Sequence, residues 1–133
     1  MADLEITQIH NNPVGKDTES KLNDEYIVIK NASTKKYEIE HWIVSDRTPT
    51  GKETHIFRFP EQLGNGHAWS FDPGELIFLR TGKGVNNFIP KTDAYPAQFH
   101  FYLQREAFVW NNTGDTAYLR SPDGQFEHWK KVP

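Results

Sequence analysis

The chain of 133 residues contains no cysteine. Disulfide bridges, thiolate zinc sites and cysteine nucleophiles are therefore excluded, so stability has to come from a hydrophobic core. No apolar run approaches the roughly 20 residues that a membrane-spanning helix needs. The first residues, Met1–Glu5, lack the basic segment followed by an apolar stretch that marks a signal peptide. We expect a cytoplasmic protein without a membrane span if the chain is complete; if it is part of a longer protein, its location stays open.

Basic residues are also scarce, because 15 Lys and Arg stand against 18 Asp and Glu and the net charge is −3. Proteins that bind nucleic acid broadly normally carry a basic patch. The clusters here are short: Lys30 with Lys35 and Lys36, and Lys130 with Lys131. Such short runs are typical of solvated turns. The composition weighs against broad nucleic-acid binding and leaves a local contact open.

A sustained helical stripe is missing as well, whereas short runs rich in β-branched and aromatic residues recur along the chain. The eight prolines and nine glycines lie between these runs. Many short strands joined by turns indicate a sandwich or barrel, so we predict an all-β domain spanning residues 1–133. The predicted strands cover residues 4–9, 25–31, 37–46, 54–59, 75–80, 98–103, 107–110, 116–120 and 126–129.

The third of these strands has an irregular apolar spacing. Ile39, Trp42 and Val44 are three and then two residues apart. A strand places every second side chain on one face, so all three can point inward only if the backbone is irregular. The spacing therefore predicts a bulge or kink near Glu40–His41.

The sequence contains only weak motifs for catalysis, metal binding or phosphate binding. The six histidines include no closely spaced ligand pair, and we interpret them as surface or half-buried structural residues. A G-x-S-x-G elbow is absent. Thr81–Gly84 follows a strand, but it lacks the first glycine, the Ser/Thr and the helix of a P-loop. A mobile basic loop that contacts a phosphate or carboxylate stays open there, beside a plain flexible connection. We predict no catalytic, cofactor or metal residues and infer no small-molecule substrate.

Aromatic residues make up 14% of the chain. Trp42 lies within a predicted strand and is assigned to the core. The segment from Val85 to Pro96 reads as a long loop, and loops of this length are often functional. Aromatic side chains exposed in such loops suit protein contacts, although they could equally cap an open end of the sandwich. The candidate contact residues are Lys30, Lys35, Lys36, Lys83, Trp69 and Tyr95.

Four segments match a known pattern in the expected order. They are LNDEYIVIKN at residues 22–31, HWIVSD at 41–46, FP at 59–60 with DPGE at 72–75, and WNNTGDTAYL with DG between residues 110 and 124. In these segments and over roughly Leu4 to Trp129 the sequence resembles the lamin tail domain family. That family occurs at the end of nuclear lamins and widely in bacterial proteins. The resemblance implies a stand-alone member of the bacterial type. His41 stands where the family usually has glycine.

The resemblance implies an immunoglobulin-like antiparallel β-sandwich with a recognition or tethering role. Gly114 and Gly124 would supply positive φ angles in turns. The side chains of Asn31, Asp46 and Asp115 would bond turn backbone. The residues expected in the interior are Ile27, Ile29, Trp42, Val44, Leu79, Ala117 and Leu119.

We therefore expect a non-catalytic interaction module that binds protein through loops or an exposed sheet edge. The alternative is a nucleic-acid accessory module that uses Lys30, Lys35, Lys36 and Lys83. Salt separates the two, because phosphate contacts weaken steeply between about 50 and 200 mM salt. A small hydrolase ranks third, since it would need histidine and carboxylate side chains that converge in a cleft.

Overall fold

The computed structural model describes residues 3–10, 22–48, 50–61, 70–106, 109–110 and 116–131. Nine strands lie within these ranges. A five-stranded sheet has the order β1-β2-β5-β7-β6 and a four-stranded sheet has the order β4-β3-β8-β9. The strands are β1 (Leu4–His10), β2 (Tyr26–Asn31), β3 (Ile43–Arg47), β4 (Glu53–Arg58), β5 (Leu76–Arg80), β6 (Asn87–Ile89), β7 (Gln98–Tyr102), β8 (Thr116–Arg120) and β9 (Glu127–Lys131).

The predicted all-β, immunoglobulin-like sandwich is confirmed. Its strand pairs are antiparallel with one exception among the described residues: β5 and β7 run parallel, with Leu76 beside Gln98 and Arg80 beside Tyr102. The connection between them contains β6, which pairs antiparallel with the far side of β7. The long connection through β6 allows β7 to run in the same direction as β5, because two parallel strands need a long crossover connection.

The core lies between the two sheets. In the five-stranded sheet, alternate residues of β2 and β5 point inward, and Ile27, Ile29 and Leu79 are fully buried. Burying such a side chain contributes about 1.5–3 kcal/mol. The interior predicted from the sequence is confirmed in full: Ile27, Ile29, Trp42, Val44, Leu79, Ala117 and Leu119 all belong to the core.

The irregularity predicted near Glu40–His41 is confirmed. Residues 40 and 41 form a turn, His41 has a φ of 66°, and Ile39, Trp42 and Val44 are all buried. The predicted strand 37–46 is too long, however, because β3 begins only at Ile43 and Tyr37 makes an isolated bridge with Phe71. The turn is what brings the three apolar side chains into one core.

Two other strand predictions need correction. The segment 85–96, predicted as a loop, contains the short edge strand β6. The predicted strand 107–110 is wrong in its described half, since Val109 and Trp110 lie in a bend. Both are buried, so the apolar character of this segment reflects core packing and not strand pairing. Residues 107–108 lie outside the described ranges.

Of the turn residues that the resemblance implies, two behave as expected, one does not and two are untested. Gly124 has the expected positive φ, 73°, and the Asn31 amide bonds the backbone of Ser33, Lys35 and Phe71. Gly114 and Asp115 lie outside the described residues. Among the described residues, the Asp46 carboxylate does not bond turn backbone; it accepts hydrogen bonds from the side chains of Thr54 and His55.

The sheet edges differ in how they are protected. The backbone N–H of Ile6 in β1 donates to Nδ1 of His128 in β9 at 3.1 Å, so these two edges close on each other. The register of the β3–β4 pair shifts near His55, whose φ is 51°, so β4 has a bulge there. Bulges discourage pairing with a further strand. Within the part of the chain that the structure describes, the β6 edge has neither of these features.

Candidate functional site

The lysines singled out in the sequence do not form one patch. Lys30 lies beside Leu76 at one end of the β2–β5 pair, whereas Lys83 follows Arg80 at the opposite end. The Lys83 ammonium is 3.3 Å from the Glu106 carboxylate. Cations at opposite ends of a sheet cannot track one short stretch of phosphate backbone together.

Lys30, Lys35 and Lys36 follow one another around the end of β2, and all three are exposed. The Lys35 ammonium lies 3.7 Å from the Asp3 carboxylate, and Lys30 is paired across the strands with Glu5. Acidic groups therefore accompany two of these cations. A shallow groove of about 490 Å³ at this end is lined by Glu5, Thr7, Lys30, Asn31, Ala32, Ser33 and Gly74. Its lining carries one cation and one anion, which does not favour phosphate.

The Thr81–Gly84 loop, which the sequence left open as a mobile anion contact, is held in place by its neighbours. The Gln104 side chain donates to the Gly84 carbonyl at 2.7 Å, and Asn23 donates to the Lys83 carbonyl at 2.9 Å. A Cβ added to Gly84 would lie 2.5 Å from the Tyr102 ring. Glycine at position 84 therefore allows the backbone to pack closely against Tyr102. The carbonyl groups of Lys83 and Gly84 are hydrogen-bonded within the protein.

A row of rings crosses the outer face of the five-stranded sheet, and sequence reasoning missed it. His10 and Tyr26 stack with centroids 5.0 Å apart and planes at 12°, and Phe78 and His100 stack at 4.9 Å and 4°. The Arg80 guanidinium lies over the Tyr26 ring at 4.9 Å. The signal was available, because Tyr26, Phe78 and His100 each lie next to a core position of their strand and therefore on the opposite face of the sheet.

The geometry of this row decides what it can bind. Neighbouring strands are about 4.8 Å apart, so parallel rings at that separation stand upright on the sheet and cover one another's faces. Nucleic-acid platforms of single-strand binding proteins instead offer an open ring face to each base. The two stacked pairs therefore present mainly ring edges and do not favour base stacking, and Tyr26 and Phe78 between them meet at a tilt of 48°.

His100 is the most buried member of the row, with 8% of its surface exposed. Burial lowers its pKa, and the nearby Arg80 guanidinium lowers it further. Arg80 Nε donates toward Nδ1 at 3.4 Å, and the other ring nitrogen faces the Gln98 side-chain oxygen at 3.0 Å. Both ring nitrogens are used within the sheet, so His100 has a structural role. The prediction that the histidines are surface or half-buried is wrong for this residue.

Four apolar side chains in and beside β6 are exposed. Val85 is 78% exposed, Tyr95 67%, Ile89 44% and Phe88 42%. Tyr95 is held in a tight turn, in which its backbone N–H donates to Thr92 Oγ1 at 3.1 Å. Sequence reasoning identified Tyr95 and the segment but not the strand inside it. Trp69, the other aromatic candidate, lies outside the described residues.

Comparison with known proteins identifies a family. The family model described as Lamin Tail Domain matches residues 1–129, which is nearly the whole chain. A search of curated proteins finds no significant match. The described residues include no helix long and apolar enough to cross a membrane. The family is an immunoglobulin-like interaction domain and is generally non-enzymatic. With the sandwich and the ordered motifs already in place, this match shows that the chain belongs to the lamin tail domain family.

Proposed function

We propose that the chain is a non-catalytic module that binds a protein partner through the β6 edge, meaning residues 85–95. The observation that carries this is the group of exposed apolar side chains Val85, Phe88, Ile89 and Tyr95 beside an edge strand. Exposed aromatic and aliphatic residues gathered in one short segment are typical of protein contact sites.

The shape of the edge suggests how a partner would bind. A strand of the partner could extend the five-stranded sheet beyond β6 by main-chain hydrogen bonds. The strand Asn87–Ile89 has only three residues, so these bonds are few. Most of the affinity would then come from burying Val85, Ile89 and Tyr95. The β1 edge and the bulged β4 edge are less suited, because each carries one of the protective features described above.

The nucleic-acid alternative has less support. Two of its four lysines have carboxylate partners, and Lys83 lies at the other end of the sheet from Lys30. The stacked outer rings also cover one another's faces.

The hydrolase alternative has even less support. At the Asp46–His55 contact, the Thr54 hydroxyl donates to the carboxylate and not to the imidazole. That arrangement lacks the nucleophile–base hydrogen bond of a hydrolytic site.

Affinity capture with matched edge variants tests the proposal. Native cell lysate is passed over immobilised wild type, Ile89→Asp and Ile56→Asp. Ile56 is the matched control, since it is also an exposed isoleucine, 51%, but lies on the edge strand of the other sheet. We expect a protein partner to be retained by wild type and Ile56→Asp and to be lost with Ile89→Asp, because a buried charge at the contact is costly.

The same capture is repeated with nuclease and at 50 and 200 mM salt. A partner that withstands both treatments supports apolar protein binding. Loss of all bound material on nuclease treatment, with a steep fall over this salt range, would favour the nucleic-acid alternative. Equal retention by Ile89→Asp and wild type would place the contact away from β6.

A further inference from the structure

Three side chains with metal-ligating atoms meet on the surface beyond the four-stranded sheet. They are Glu40 and His41 in the turn before β3 and Glu61 just after β4, and their ligand atoms all lie within 4.8 Å of one another. His41 Nε2 and Glu61 Oε1 are 3.0 Å apart. Sequence reasoning could not find this group, because Glu61 is twenty residues from His41 and no short ligand spacing marks it.

The backbone beneath these side chains is well anchored. The His41 N–H donates to the Phe59 carbonyl at 2.8 Å, and the Phe59 N–H donates to the Trp42 carbonyl at 3.0 Å. Ile39, Trp42 and Phe59 are buried in the core directly beside them. The two chain segments that carry the ligand atoms are thus held at a constant separation, so little ordering is left for a bound ion to impose.

The three side chains are accessible to an ion from solvent, because the His41 and Glu61 side chains are 49% and 66% exposed. His41 has a left-handed φ of 66°, a conformation that glycine adopts readily, so glycine can replace this histidine without straining the backbone.

We propose that Glu40, His41 and Glu61 form a binding site for a divalent transition-metal ion, with Zn²⁺ as the probe. One imidazole with two carboxylates suits zinc and its neighbours and disfavours Mg²⁺ and Ca²⁺, which prefer oxygen ligands alone. Metal–ligand bonds of about 2.1 Å place tetrahedral ligand atoms about 3.4 Å apart. The His41–Glu61 pair at 3.0 Å is already close to this separation, and all three ligand atoms lie within 4.8 Å of one another.

Three protein ligands leave one tetrahedral position for water or for a ligand from another molecule. This assignment rests on the turn geometry alone and is independent of the protein contact proposed at β6. The two sites belong to different sheets, so each can be tested without disturbing the other.

Isothermal titration of the intact chain with zinc chloride in a non-coordinating buffer tests the site. The informative variant is His41→Gly, which removes the imidazole and suits the left-handed backbone, so it should fold. His55→Gly is the matched control, because His55 is also an exposed left-handed histidine beside a carboxylate. We expect one zinc ion per chain, binding at least tenfold weaker in His41→Gly and in Glu61→Gln, and unchanged binding in His55→Gly.

A second readout follows the melting temperature, which should rise with zinc in the wild type and in His55→Gly but not in His41→Gly. Magnesium chloride should have no effect on either measurement. The assignment is wrong if the wild type shows no zinc binding, if either cluster variant loses less than tenfold, or if His55→Gly weakens binding as much as His41→Gly.

Discussion

At the scale of single residues, the most consequential polar group is Glu25, which is completely buried. Its Oε1 accepts hydrogen bonds from the Thr81 hydroxyl at 2.7 Å, from the Val109 N–H at 2.7 Å and from the Trp110 N–H at 3.1 Å. One carboxylate oxygen therefore ties the residue before β2 to the bend at residues 109–110. From the sequence, Glu25 is only the first residue of the predicted strand 25–31.

Removal of this carboxylate should be costly. In Glu25→Ala, three buried donors lose their acceptor, and we expect the free energy of unfolding to fall by about 3–5 kcal/mol, since each unsatisfied group costs about 1–3 kcal/mol. Glu25→Gln keeps an acceptor oxygen and should lose much less. Urea denaturation measures both values. Equal losses in the two variants would mean that the charge, and not the acceptor, is what matters.

Two histidines should make stability depend on pH. Burial lowers the pKa of His128, and burial followed by Arg80 lowers the pKa of His100, so both fold in the neutral form. The unfolded chain then binds more protons below its ordinary histidine pKa of about 6.5. Their contribution to stability is complete above about pH 6.5. It is lost as the pH falls from there through the lowered pKa values of the folded state.

Denaturation at pH 7.5 and at pH 5.5 checks this, with His100→Gln and His128→Gln as comparisons. Each variant should lose less stability on acidification than the wild type does, because one titrating group has been removed. Protonation of His128 also removes the Nδ1 acceptor that receives the Ile6 N–H. A wild type that is equally stable at both pH values would contradict the prediction.

At the scale of elements, the turn after β2 depends on a single amide. The Asn31 side chain is fully buried; it donates to the Phe71 carbonyl at 2.8 Å and the Lys35 carbonyl at 3.0 Å and accepts from the Ser33 N–H at 3.0 Å. It therefore joins the end of β2 to the Tyr37–Phe71 bridge. Because these atoms are all used inside the protein, Asn31 has no side-chain group free for other contacts.

Substitution of Asn31 should loosen this turn. Asn31→Asp keeps an acceptor for Ser33 but places a carboxylate against two carbonyl oxygens, so we expect a loss of about 2–4 kcal/mol in the free energy of unfolding. Asn31→Ala should lose a comparable amount through unsatisfied carbonyls and a cavity. Thermal unfolding measures both, and Ser33→Ala, at the periphery of the same turn, is the control with a smaller loss. A change below about 0.5 kcal/mol in Asn31→Asp would contradict the role given to the amide.

The elements also show where strand prediction succeeds and fails. The β-branched residues of β2 and the alternating Phe99 and Phe101 of β7 indicate strands, and both strands appear within a residue of their predicted bounds. The three residues of β6 are too few to display a period, so only their pairing with β7 makes them a strand. Val109 and Trp110 fail for the opposite reason: buried apolar residues in a bend look like a strand.

At the scale of the whole molecule, aromatic rings join the two sheets. Phe101 in β7 meets Phe59, just after β4, in an edge-to-face contact at 5.2 Å, and Phe57 lies 6.1 Å away at a tilt. Phe59 and Phe101 are fully buried. Such pairs add about 0.5–1.5 kcal/mol beyond their buried area.

Truncation of Phe101 should weaken the contact between the sheets. We expect Phe101→Ala to lower the free energy of unfolding by about 3–5 kcal/mol through lost burial and a cavity. Phe101→Leu fills most of the space and should lose less. Tyr95→Ala, an exposed aromatic, should change stability by less than about 0.5 kcal/mol. Calorimetry compares the three, and a Phe101→Ala protein as stable as Tyr95→Ala would contradict the assignment of the core.

The sequence by itself determined the fold class, the interior and the family resemblance, because burial follows the period of the strand and the turn residues depend on local backbone geometry. It also indicated Tyr95 and the kink at His41. Only the tertiary structure decided which groups meet: the three donors on Glu25, the dispersal of Lys30 and Lys83, the upright ring row, the β6 edge and the approach of Glu61 to His41. These depend on which distant strands become neighbours, and a side chain carries no local signal of the partner that folding brings to it.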